Sequence, residues 1–119
     1  MIVTGALLAE SASAVDNKLN IQGGVASAFR PGPDRVAPVT LVLLLKPEPG
    51  ETSAVIDVTV SAPTGESVPV QVPVPESSLG GEIGFMYTPL PFSVPVNGRY
   101  VVAVSTGTGV IELPLNVVE

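Results

Sequence analysis

The chain contains no cysteine, no histidine and no tryptophan, and each absence excludes a class of function. Without cysteine there is neither a disulfide framework nor a thiolate zinc site, so the fold depends on its hydrophobic core. Without histidine, the commonest general base and the usual acyl-transfer arrangements are missing. The sequence therefore predicts a protein that is not an enzyme, with no catalytic residues, no bound metal and no cofactor.

Chemistry based on carboxylates is the catalytic alternative. Such an enzyme needs two acidic side chains that face one pocket. The eleven acidic residues are dispersed, however: Glu48 and Glu51 flank a turn, and Asp57, Glu66 and Glu76 lie on separate segments. The five aromatic residues also offer few platforms for a sugar ring.

Charged residues are scarce, at 13% of the chain, whereas an average soluble domain has about 25%. The formal net charge is −6 and the five basic residues are scattered, which argues against a nucleic-acid partner. Since few charges are available to cover the surface, two explanations stay open. Either the surface is rich in Thr, Ser, Pro and Gly, or part of it is buried in an assembly.

Residues 1–119 are expected to form a single domain made of strands. No window has a helical apolar stripe, and 12 Gly and 13 Pro interrupt short runs rich in Val, Thr and Ile. This pattern is typical of a β-sandwich or barrel. The predicted strands lie near 2–11, 18–29, 38–46, 53–61, 67–75, 83–95, 98–106 and 109–118.

The apolar start of the chain, Met1 to Ala9, has no basic flank, and Glu10 follows it directly. It is also shorter than the roughly 20 residues that a membrane-spanning helix requires. We interpret this stretch as an uncleaved first strand. The sequence thus predicts no export signal, no membrane insertion and synthesis in the cytoplasm, with a virion as one destination.

Three stretches are apolar on both faces: Ile2 to Leu8, Val39 to Leu45 and Tyr100 to Val104. A strand of this kind in an antiparallel sheet has something covering its outer face. That cover is either a loop or terminus of the same chain, or another subunit.

Two segments carry prolines at alternate positions. In 68–75 the prolines are all odd-numbered and the valines even-numbered, and 89–96 follows the same rule. Prolines of one parity fit an edge strand, where the missing N–H groups would have pointed away from the ladder. We therefore expect both segments to be sheet edges that resist the addition of a further strand.

The stretch Phe92 to Val104, with Asn97-Gly98-Arg99-Tyr100 at its centre, resembles the corner between strands E and F of immunoglobulin-like and fibronectin-like domains. In those domains a tyrosine at the start of strand F bonds back to the upstream backbone, and Tyr100 matches it. The resemblance implies an all-β, immunoglobulin-like β-sandwich of seven to eight antiparallel strands. The conserved Cys and Trp of true immunoglobulin domains have no counterpart here.

The segments Leu7 to Ala12 and Asn17 to Gly24 (NKLNIQGG) are similar to a family of small, uncharacterised all-β proteins from actinobacteria and their phages. The resemblance implies a β-sandwich and brings no catalytic residues. It makes a virion component, such as a capsid-decorating protein, one candidate role.

The leading hypothesis is a structural or adaptor module that acts through protein–protein contacts. In a typical sandwich, strands 38–46 and 98–106 would be neighbours. The sequence does not decide which side of 38–46 faces outward. With Val42 and Leu44 outward, these side chains would join Val101 and Ala103 in one patch. Burying about 800 Å² per partner there would give a standard interface, and we expect a homo-oligomer or a larger assembly.

The loop from Arg30 to Arg35 is open to two interpretations. Arg30 and Arg35 could contact carboxylates of a partner, or the loop could be a stiff connection between sheets. The alternative function is a small-ligand or glycan-binding module that uses loops at one end of the sandwich. That module requires Tyr87 or Phe29 to be exposed beside a concavity.

Overall fold

The computed structural model describes residues 1–119 and confirms that the protein is all-β. It contains one 3-10 turn, Glu76–Ser78, and no helix that is long and apolar enough to cross a membrane. The strands are β1 (Ile2–Ala9), β2 (Ser11–Val15), β3 (Lys18–Gln22), β4 (Ala28–Phe29), β5 (Val36–Lys46), β6 (Ala54–Ser61), β7 (Ser67–Val74), β8 (Gly84–Ser93), β9 (Gly98–Ser105) and β10 (Val110–Val117).

The strands form two main sheets and a separate hairpin. The three-stranded sheet has the order β1-β5-β8, and the five-stranded sheet has the order β4-β10-β9-β6-β7. All pairs are antiparallel except the short pair of β4 with β10, and β2 pairs only with β3. A core cluster of 21 buried residues draws on both sheets. This arrangement is compatible with a β-sandwich.

Alternation of buried and exposed residues along the strands forms the core. In β6, Ile56, Val58 and Val60 are buried, whereas Asp57 is exposed. In β9, alternate residues from Tyr100 to Val104 are buried in the same way. Burying an aliphatic side chain contributes about 1.5–3 kcal/mol, so these rows of valine and isoleucine hold the sheets together without any disulfide.

In the structure, four shorter strands, β1 to β4, replace the two strands predicted nearest the N-terminus. The first ends at Ala9, after which the chain turns into the β2–β3 hairpin. The stretch 18–29 is broken after Gln22, because Gly23 adopts a φ of +64° and a side chain there would collide with Glu10. Residues 23–27 then cross to the other sheet, where β4 begins. The chain consequently has ten strands rather than seven to eight.

The outer edges of β1 and β10 make some backbone hydrogen bonds to other segments of the same chain. The Ala26 N–H donates to the Leu8 carbonyl over 2.7 Å, and the Val3 N–H donates to the Thr106 carbonyl over 3.2 Å. These bonds use the free edge of β1. The free edge of β10 is used where Asn116 donates its N–H to the Ser27 carbonyl over 2.9 Å.

Both proline-bearing segments lie at sheet edges, which confirms the prediction. β7 is the last strand of the five-stranded sheet and pairs only with β6. β8 is the last strand of the three-stranded sheet and pairs only with β5. Gly84, at the start of β8, has no side chain, and this allows the Ser78 carbonyl to lie against it while the Ser78 hydroxyl donates to the Phe85 carbonyl over 2.9 Å.

The prediction that strands 38–46 and 98–106 are neighbours is wrong. β5 belongs to the three-stranded sheet, whereas β9 lies in the other sheet between β6 and β10. The reason is that the β2–β3 hairpin stands outside the two main sheets. β5 is therefore the second main strand of the sandwich rather than the third, and the strand paired with β9 is β6, with Thr59 opposite Ala103 and Ser61 opposite Val101.

Candidate functional site

The outer face of the three-stranded sheet is largely apolar, although Thr40 and Lys46 of β5 also lie on it, with Lys46 opposite Ile2. The register aligns two rows of side chains across its three strands. One row consists of Leu7, Val42 and Tyr87, and the other of Gly5, Leu44 and Phe85. Because one face of an antiparallel sheet commonly meets solvent and carries polar residues, an apolar outer face requires a cover.

The β2–β3 hairpin and the chain at its base cover part of this face. The Thr40 hydroxyl donates to the Glu10 carbonyl at 3.4 Å, so the chain that leads into the hairpin stays close to β5. At Gly24 a side chain would lie 2.8 Å from the Ile21 Cγ2 atom and 3.4 Å from the Leu7 Cδ1 atom, which shows how closely the segments approach. Val42 is only 1% exposed as a result. The prediction that Val42 lies in an interface is therefore wrong, since its cover comes from the same chain.

The remainder of the outer face is open to solvent. Ile2 is 36% exposed, Leu44 43%, Ile83 83% and Tyr87 37%. We call these four residues the apolar patch. Single exposed apolar residues are normal on a protein surface, whereas a group of them on one sheet face makes that face a candidate site of interaction. Of the predicted interface residues, Leu44 is the one that the structure places in this patch.

Val101 and Ala103 lie elsewhere, on the outer face of the five-stranded sheet. Both are half-buried, and their cross-strand neighbours include polar residues. Ala103 lies between Thr59 and Glu112. Neither residue therefore extends the patch around Leu44, contrary to the prediction.

Arg35 is engaged in bonds within the chain, whereas Arg30 is exposed. The Arg35 Nε donates to the Val94 carbonyl and an Nη atom donates to the Asn97 Oδ1, each over 2.9 Å. Its backbone carbonyl also accepts from the Val94 N–H. For Arg35 the structure thus agrees with a stiff connection rather than with a contact to a partner.

Tyr100 makes the bond to the upstream backbone that the sequence predicts. Its hydroxyl donates to the Val96 carbonyl over 2.8 Å and accepts from the Val96 N–H over 3.3 Å. The ring is 1% exposed and its centroid lies 5.9 Å from that of Phe92. Tyr100 and Arg35 therefore hold the same segment, 94–97.

A concavity of about 610 Å³ lies between the hairpin and β8, and Tyr87 lines it. Asn17, Ser77 and Phe85 also contribute to its wall. Tyr87 is thus exposed beside a concavity, which is the condition that a ligand-binding module must meet. Phe29 is half-buried and lines a different concavity of about 640 Å³.

The acidic residues are neither clustered nor paired with basic side chains. No group of three or more acidic residues could hold a metal ion, and each of four concavities on the surface is lined by at most one carboxylate. The one ion pair joins the Met1 amine to Glu51 over 3.3 Å. The Glu48 N–H donates to Glu51 and lowers the pKa of this carboxyl; desolvation opposes the effect and the amine reinforces it.

Sequence reasoning missed the hairpin and with it the cover over Val42. The signal was present in the Gly23-Gly24 pair and in Glu10, which directly follows β1. Comparisons with protein-family models, with curated proteins and with solved structures find no match.

Proposed function

We propose that the chain is a non-catalytic, immunoglobulin-like β-sandwich module that acts through protein–protein contacts, in a homo-oligomer or a larger assembly. The observation that carries this proposal is the apolar patch of Ile2, Leu44, Ile83 and Tyr87, which stays exposed on a sheet face that the hairpin covers only in part. An exposed apolar group of this kind is stabilised when a partner removes it from water.

The order of the strands supports the immunoglobulin-like assignment. Without the hairpin and the two-residue β4, seven strands remain. The first, second and fifth of these form one sheet, and the third, sixth and seventh lie together in the other. These groups correspond to A-B-E and C-F-G of immunoglobulin-like domains, although the fourth strand, β7, pairs with β6 rather than with the A-B-E group. The Tyr100 bond to Val96 lies at the corner that corresponds to theirs, which also supports the proposal.

The edges of the sheets support contact through a face rather than through strand addition. β7 carries Pro69 and Pro73 and β8 carries Pro89 and Pro91, so an added strand would find fewer N–H donors there. On their outer edges, β1 already bonds to the chain itself at Val3 and Leu8, and β10 at Asn116. The apolar patch is consequently the surface that offers a partner the most.

A virion component, such as a capsid-decorating protein, is one assembly in which this patch would be buried. The similarity of the Leu7–Ala12 and Asn17–Gly24 segments to proteins of actinobacteria and their phages is the support for this form of the proposal.

The test measures the mass of the chain in solution by sedimentation equilibrium over micromolar to millimolar concentrations. We expect the wild type to associate, and Leu44→Lys and Ile83→Lys to shift the chain towards monomer. Val55→Lys is the matched control, because Val55 is 56% exposed but lies on the outer face of the other sheet. A wild type that stays monomeric throughout, or association that Val55→Lys weakens equally, would overturn the proposal.

The second candidate function is a small-ligand or glycan-binding module, favoured by the exposure of Tyr87 beside Asn17 and Ser77. A tyrosine ring can stack on a sugar while amide and hydroxyl groups bond to its hydroxyls. Titrating a glycan panel while recording ¹H–¹⁵N spectra would test it. Saturable shifts at Asn17 and Tyr87 that disappear in Tyr87→Ala would support this function, and uniform or absent shifts would remove it.

A further inference from the structure

The two sheets separate at the start of β7, and a core-facing side chain is left in contact with solvent there. Val68, Val70, Val72 and Val74 all point towards the core from β7. Val72 and Val74 are 5% and 7% exposed, whereas Val68 is 59% exposed. The sandwich is therefore not filled at this end by its own side chains.

A groove of about 460 Å³ occupies this opening, between the two proline-bearing edges. Val68 and Val70 form one wall, and Phe92 and Val96 form the other. Tyr100, which belongs to the core, lies at its inner end. The volume is within the range of about 300–1,000 Å³ that is usual for small-molecule sites, and the walls are mostly apolar, as such sites require.

The groove lining carries one charge, which is negative, and the hydroxyl groups of Thr64 and Ser93, which can both donate and accept hydrogen bonds. Glu66 is the one charged residue in its lining, and no lysine, arginine or histidine lies there. Pro91 and Pro95 in the lining have no N–H group. An apolar groove with a carboxylate at its margin is complementary to a molecule with an apolar body and a cationic end.

We propose that this groove binds a small amphipathic amine, with its hydrocarbon part between Val68 and Phe92 and its ammonium group beside Glu66. The groove is separate from the apolar patch, which lies on the outer face of the three-stranded sheet. This proposal therefore does not depend on the proposed role in protein–protein contacts.

The same edges argue against an extended peptide as the occupant. A peptide that adds a strand gains its affinity from main-chain hydrogen bonds. On β7, the prolines at 69 and 73 remove donors that such a strand would use, and those at 89 and 91 do the same on β8. Binding in this groove must therefore come from apolar burial and from the single charge, as it does for a small molecule.

The test is a titration of the ¹⁵N-labelled chain with octylammonium, followed by ¹H–¹⁵N spectra, with 1-octanol and octanoate as probes of the same length. We expect saturable shifts at Val68, Val70 and Val96. Octylammonium should bind about two- to five-fold more tightly than 1-octanol, as an exposed ion pair allows. Octanoate should bind more weakly than either. Heptylammonium should lose about four-fold in affinity, since each buried methylene contributes to binding.

Two variants locate the site. Glu66→Gln should bring the affinities for octylammonium and 1-octanol close together without weakening 1-octanol. Val68→Ser should weaken every probe, whereas Val55→Ser, which alters an equally exposed valine on the outer face of β6, should not.

Three results would overturn the proposal. One is shifts that stay linear and spread over the surface. Another is octanoate bound as tightly as octylammonium. The last is a proline-free, lysine-containing apolar peptide that saturates the groove when octylammonium does not.

Discussion

The side chains of Tyr100 and Arg35 both form hydrogen bonds with one segment of the chain, residues 94–97. Tyr100 reaches back from the start of β9 to Val96, and Arg35 reaches from the start of β5 to Val94 and Asn97. Pro95 lies between these bonded residues and cannot donate through its own nitrogen. Side-chain groups thus supply the bonds that a regular strand would make here, and the connection between the sheets is held in one conformation.

Replacing Tyr100 with Phe removes only the hydroxyl and its two bonds to Val96. Because the ring stays buried while the Val96 N–H and carbonyl lose their partner, we expect the free energy of unfolding to fall by about 1–3 kcal/mol. Urea denaturation measures it, with the midpoint shifted and the slope unchanged. Tyr87→Phe is the matched control, since Tyr87 is 37% exposed, and should change stability by less than about 0.5 kcal/mol. Equal losses in both variants would refute this role of Tyr100.

Arg35 combines two bonds with a left-handed backbone, its φ being +54°. Arg35→Ala and Arg35→Gly both remove the bonds to Val94 and Asn97, but glycine adopts a positive φ without steric cost. We expect Arg35→Ala to be the less stable variant by about 1–2 kcal/mol, the cost of a left-handed conformation for a residue with a Cβ atom. Thermal unfolding of both variants checks this. Equal stability would show that the segment relaxes to another conformation.

At the scale of the strands, the local sequence pattern predicts where the strands lie better than it predicts which strands pair. The five strands from β6 to β10 lie within about two residues of the predicted ranges, because alternation and turn residues are local properties. The proline parity even identifies the edges correctly. The pairing of β5 could not be predicted in this way, because it depends on whether an earlier hairpin enters the sandwich, and that is decided by contacts distant in sequence.

The proline-bearing edge of β7 gives a prediction about aggregation. Pro69 and Pro73 face Thr59 and Val55 of β6, so their other side has no neighbouring strand. Changing both to Thr restores two N–H donors on an edge that is rich in valine, and we expect faster formation of thioflavin-binding aggregates.

Pro49→Thr, in the turn between β5 and β6, is the control for this pair of changes and should leave the rate unchanged. If the double variant on β7 aggregates no faster than this control or the wild type, the prolines do not protect the edge.

At the scale of the whole molecule, the candidate site was predictable only in part. The scarcity of charge and the apolar stretch Val39–Leu45 pointed to an exposed apolar surface on this strand, and Leu44 is exposed there. Ile83 and Tyr87 complete the patch from β8 and the residue before it. Their contribution depends on the register of β8 against β5, which places Phe85 opposite Leu44 and Tyr87 opposite Val42. Such a register follows from the fold and not from any local motif.

The net charge of −6 predicts how association through the apolar patch responds to salt. Because each copy of the chain carries this same negative charge, two copies repel each other over the screening length of the solvent. That length falls from about 20 Å near 0.02 M salt to about 4 Å near 0.5 M. If copies associate through apolar contacts, the association constant should rise with sodium chloride over this range, as sedimentation equilibrium would show. Leu44→Lys should remove the association at every salt concentration. An association constant that falls as salt is added would instead mean that ionic contacts join the copies, and the assignment of the interface to the patch would be wrong.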